Sequence, residues 1–180
     1  DSVIANEMWH SLPNYMEGTT QPILCMVDTS GSMFWEESKV SGDLFAGHVA
    51  QSLAVYTSER NNGPFKDAFL SFNNTPQLHT LKGNLTDRLM QLRNAPVGGG
   101  TNIEACFDFV LDQAIKFKVK ASEMPSMIII LSDMEFNQCS RDASDTAYTM
   151  IKKQYANAGY NIPNIVFWNL ASRKKNVPVQ

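Results

Sequence analysis

Two aspartates and three hydroxyl side chains make up an all-oxygen donor set. Asp28 closes the apolar run Ile23-Leu24-Cys25-Met26-Val27, and Asp133 follows Met127-Ile128-Ile129-Ile130-Leu131-Ser132. Two carboxylates brought into one crevice repel, and a divalent cation is the simplest neutraliser. After Asp28 the chain reads Thr29-Ser30-Gly31-Ser32, so Ser30 and Ser32 supply hydroxyl oxygens with Gly31 between them to let the backbone turn sharply. Thr101, behind Gly98-Gly99-Gly100, offers a third hydroxyl. Oxygen ligands of mixed charge select Mg2+, Mn2+ or Ca2+ over zinc. Mg2+ prefers six near-octahedral ligands and usually keeps some water. Few direct protein ligands therefore leave a position open, and an incoming carboxylate is its natural occupant. Glu135 is within reach of the outer shell, although a solvated loop carboxylate is its simpler role. Thr101 with Glu104 also fits a capping box opening a helix; the presence of the other donors favours the metal role.

These donors meet only if the elements carry them to one place. A continuous apolar run bounded by polar residues reads as a strand buried on both faces, which describes residues 23–27 and 127–131, and residues 165–168 read as the last strand. Residues 65–72 and 77–81, joined by the turn residues Asn73-Asn74-Thr75-Pro76, read as a hairpin that makes one sheet edge antiparallel. Helices are expected at 3–10, 43–60, 85–92, 102–118 and 144–158. Their apolar faces are read as Phe45, Val49, Leu53 and Tyr56; Ile103, Phe107, Val110, Ala114 and Phe117; and Tyr148, Ile151, Tyr155 and Ala158. Alternating strands and helices predict an α/β, Rossmann-like three-layer open sheet, mostly parallel, with helices on both faces. In such a sheet, ligand sites lie beyond the carboxyl ends of the strands near the switch in strand order, which suits Asp28 and Asp133.

The residues Asp28-Thr29-Ser30-Gly31-Ser32, then Gly100-Thr101, then Ser132-Asp133 resemble the metal-ion-dependent adhesion site of von Willebrand factor A domains. The order Asp-x-Ser-x-Ser, distant Thr, distant Asp is complete. The resemblance implies that Ser30, Ser32 and Thr101 contact the metal directly, and that Asp28 and Asp133 act through water or hydrogen bonds. Gly31, Gly100 and Glu135 would flank the ligand. The segments Ser132-Asp133-Met134-Glu135-Phe136 and Gly159-Tyr160-Asn161-Ile162-Pro163 through Leu170 are similar to a family of large viruses, phages and plants. Its A-type domain resembles that of the Ro ribonucleoprotein autoantigen. One departure stands out: residues 171–180, with Pro178, cannot hold the further helix and strand that A-type domains usually have. The expectation is a sheet ending on the strand of Phe167 and Trp168, with an edge open to another chain or segment.

Length suits a single domain over 1–180, with residues 1–20 as an N-terminal extension. Starting at Asp1, the chain is expected to be processed or cut from something longer. A net charge of −3 does not support a generally basic nucleic-acid surface; Arg173-Lys174-Lys175 reads as a solvated tail. No apolar run approaches the ~20 residues that span a bilayer. The cysteines Cys25, Cys106 and Cys139 lack metal-ligand spacing, and their odd count argues against a disulfide framework. An intracellular, cytoplasmic setting is therefore expected, and the resemblance to the viral family leaves virion association open. The function expected is non-enzymatic: a protein partner offers Asp or Glu to a bound Mg2+, Mn2+ or Ca2+. One alternative is a Ro-like ribonucleoprotein component that meets RNA only indirectly. Another is a Mg2+-dependent phosphoryl-transfer enzyme, disfavoured because haloacid-dehalogenase-like phosphatases need an Asp where this chain has Ser30.

Overall fold

The computed structural model describes residues 2–72, 75–96, 102–133 and 141–171. Asn73, Asn74, Gly100, Thr101, Glu135, Cys139 and Arg173-Lys174-Lys175 lie outside these residues. In chain order the elements are α1 (Ser2–His10), β1 (Ile23–Asp28), β2 (Lys39–Ser41), β3 (Leu44–Phe45), α2 (Ala46–Arg60), β4 (Ala68–Phe72), β5 (Leu78–Thr80), α3 (Leu85–Arg93), α4 (Ile103–Lys116), β6 (Met127–Ser132), α5 (Arg141–Asn157) and β7 (Asn164–Asn169). Among the described residues the main sheet runs β5-β4-β1-β6-β7. It is parallel except at β5, which pairs antiparallel with β4. This is the expected Rossmann-like open sheet, with β7 at one edge.

Alternation along the strands sends side chains to two cores. Leu24 and Met26 of β1, Leu70 of β4 and Ile128 and Ile130 of β6 pack with Phe107 and Val110 of α4 and with Ile151 and Tyr155 of α5. Cys25, Val27, Phe69 and Leu131 face α2 and Leu92 of α3. Each large side chain fully buried this way contributes about 1.5–3 kcal/mol. Cys25 and Cys106 are both buried, and burial pushes the Cys25 thiol up to about 12, so it stays protonated and unreactive at neutral pH.

Several sequence expectations are corrected. Helix α2 starts at Ala46, because residues 39–45 form the β2–β3 ribbon around Gly42, whose φ is 50°. It buries Ala46, Gly47, Ala50, Ala54, Val55 and Ser58, while Phe45, Val49, Leu53 and Tyr56 are only half-buried. Small side chains let the helix approach the sheet closely and leave the bulky ones on its flanks. Phe117 lies past the end of α4 and is 67% exposed, and Tyr148 of α5 is 45% exposed. Helix α4 is capped by Asn102, whose side chain accepts the Ala105 N–H at 3.0 Å. No described helix is long and apolar enough to cross a membrane.

The antiparallel edge holds a pH-sensitive group. The ring of His79 stacks on Phe69 with centroids 4.7 Å apart, and its buried Nε2 has no hydrogen-bond partner among the described residues. Burial lowers its pKa below the ordinary 6.5. The unfolded chain therefore binds the proton more tightly, and stability falls as pH drops from 6.5 through the folded value. His79→Phe is expected to narrow the gap between urea midpoints measured at neutral and mildly acidic pH. An unchanged gap would assign that pH sensitivity to other groups.

Candidate metal centre

The chain leaves β1 for β4 through α2 on one face and reaches β6 through α4 on the other, so the strand order switches between β1 and β6. Crevices of this kind hold ligands. Pairing of Val27 with Leu131 sets Asp28 beside Ser132, with Asp133 one residue further on. Both carboxylates are buried, Asp28 at 2% and Asp133 at 1% exposure.

The loop after β1 folds back over Asp28. Its Oδ1 accepts the Ser30 N–H at 2.9 Å, a turn made by the side chain itself. The chain then enters a 3-10 turn, Gly31–Phe34. The hydroxyls of Ser30 and Ser32, both half-buried, stand 2.9 Å apart, and the Ser30 side chain also hydrogen-bonds Asp28. Gly31 is not in the left-handed region, and a Cβ there would meet only Trp35 Nε1 at 3.8 Å. The sharp turn is thus made by Asp28 rather than by glycine freedom, which corrects the role expected of Gly31.

Three residues that carry no role in the sequence-based expectations complete the site. The Ser132 hydroxyl donates to Asp28 Oδ2 at 2.6 Å. The buried Ser38 hydroxyl donates to Asp133 Oδ2 at 3.4 Å. Met33, fully buried, pins the 3-10 turn, and its sulfur accepts the Asp133 N–H at 3.2 Å. Ser132 had a signal, a hydroxyl ending an apolar strand; Ser38 and Met33 had none. Burial raises the Asp28 pKa above its ordinary value, and the charge of Asp133 adds to this, against the pull of hydrogen bonds from Ser132 and Ser30.

The described donors fit a hard cation. Adjacent ligands of an octahedral Mg2+ at about 2.1 Å stand about 3.0 Å apart, close to the spacing of the two serine oxygens. Among the described residues, no three His, Cys, Asp or Glu side chains could together hold a metal ion, so a cation here would depend on hydroxyl oxygens. The structure brings Asp28, Ser30, Ser32 and Asp133 together. Thr101, Gly100 and Glu135 lie outside the described residues.

A solved structure places the fold. The chain is similar to the Ro (RSR) protein of Deinococcus radiodurans, whose fold includes a von Willebrand factor A-like domain: TM-score 0.57 at 16% identity, over 87% of this chain and 29% of that one. Residues 23–180 match the family described as domain of unknown function DUF7788, and the chain belongs to that family. It is also 34% identical over 164 residues to an uncharacterized protein of Acanthamoeba polyphaga mimivirus, covering 90% of this chain. The chain spans 27% of that viral relative's length.

Proposed function

We propose that this domain is a non-enzymatic binding module in which a divalent cation, Mg2+ or the similar Mn2+ or Ca2+, links it to a carboxylate of a protein partner. The observation carrying this reading is a pair of serine hydroxyls 2.9 Å apart, one of them bonded to Asp28, beside two buried carboxylates at the strand-order switch. Ser30, Ser32 and Thr101 would hold the ion, and Asp28 and Asp133 would support it with charge. The cation would supply positive charge to an incoming carboxylate. The chain's own residues supply the rest. Ser132 and the Ser30 N–H fix both oxygens of Asp28, and Ser38 and Met33 fix Asp133.

Water-proton relaxation with bound Mn2+ tests the open position. Exchangeable water on the ion is expected to enhance relaxation, and millimolar glutarate is expected to reduce that enhancement by displacing water. Enhancement indifferent to glutarate would contradict a carboxylate-accepting position.

A further inference from the structure

The chain passes straight from the serine loop into a run of exposed apolar side chains. Phe34 is 40% exposed, Trp35 56%, Val40 48% and Leu44 43%. Scattered apolar residues are ordinary on a surface, whereas a contiguous group marks a contact site. This group is held together and held at the metal loop. The Phe34 ring lies where a Cβ on Gly47 would overlap it, and it lines a small cavity with Asp28, Thr29 and Arg93. His48 packs edge-on against both Phe34 and Phe45, at 5.4 and 5.7 Å, which ties the β2–β3 ribbon to the same patch. The Trp35 indole stands beside Gly31, between the two serines. Arg93, exposed in the last turn of α3, forms no ion pair among the described residues.

We infer that Phe34, Trp35 and Arg93 form the rim of a docking site for an extended acidic protein segment carrying two neighbouring carboxylates beside a large apolar residue. This rests on the metal reading above. One carboxylate takes the open metal position, the second meets Arg93, and the apolar side chain lies against Phe34 and Trp35. Charge complementarity selects this occupant. The chain carries a net −3, so an acidic segment is best attracted where a bound cation coincides with an arginine that has no ion pair among the described residues. The exposed aromatics give that segment area to bury, which a purely polar one would not use.

Matched labelled octapeptides in millimolar Mg2+ test this on the whole chain. One carries a Phe-Asp-Glu-Leu centre, a second has Ser for Phe and Leu, and a third has Asn and Gln for the acids. The first is expected to bind about tenfold tighter than the second, and the third not at all. Trp35→Ser and Arg93→Gln are each expected to weaken the first about tenfold while leaving Mn2+ affinity unchanged. Equal binding of the first two peptides, indifference to both substitutions, or equal binding of a single-stranded oligonucleotide would overturn the inference. So would no peptide binding by a chain that holds Mn2+. Failure of the chain to hold Mn2+ would overturn the metal reading, and this one with it.

Discussion

Asp28→Asn is expected to leave the metal-free chain at least as stable as wild type at neutral pH, and to abolish its stabilisation by Mg2+. The Asp28 carboxylate is 2% exposed and close enough to Asp133 to be raised in pKa by its charge. Ionised Asp28 therefore costs stability in the fold: the folded state keeps the proton longer, and stability declines as pH rises from the unfolded value of 3.8 through the folded one. Asparagine keeps an acceptor for the Ser30 N–H, and the Ser132 hydroxyl can rotate to accept from the new amide. It removes the charge without opening a cavity. A cation reverses the balance only where the carboxylate remains. At a hundredfold excess over its dissociation constant, Mg2+ would stabilise wild type by about 2.7 kcal/mol, about 5–11 °C in melting temperature for a domain of this size. Melts in chelator and in Mg2+ would show the gain in wild type and none in the variant. The same gain in both would mean that the ion binds elsewhere.

Asn61→Ala is expected to lower stability by about 3 kcal/mol, or the urea midpoint by about 1.5 M, without altering the metal ligands. Asn61 is 3% exposed and follows α2. Its Oδ1 accepts the Ile23 N–H at 3.0 Å, and its Nδ2 donates to the carbonyls of Ile23 and Phe65. One side chain thus satisfies both backbone groups at the entry of β1, the strand whose exit is Asp28. Alanine would take the Asn61 partner from these part-buried groups and from the buried Phe65 carbonyl, at about 1–3 kcal/mol for each one that water does not reach. A loss well under 1 kcal/mol would show that water reaches the start of β1 and takes over these bonds.

The parts of this molecule that were legible in its sequence follow from local rules. Apolar runs mark β1 and β6, which are buried along most of their length, and β7, which lies half-exposed at the sheet edge, and the aspartates of the site are visible because they end the first two runs. The antiparallel edge follows from the turn residues between β4 and β5. Tertiary packing decides the rest. The buried face of α2 is built of Ala, Gly and Ser, which periodicity of large apolar residues does not register. The β2–β3 strands are too short to show alternation. Ser38 and Met33 reach Asp133 across 95 and 100 positions of chain, a distance over which no spacing rule works.

Counting bound Mn2+ by electron paramagnetic resonance tests the central claim most directly. The account expects a single tight ion per chain, displaced by Mg2+, lost in Asp28→Asn and weakened in both Ser30→Ala and Ser32→Ala. A chain that binds no Mn2+, or that binds it equally in all three variants, would contradict it.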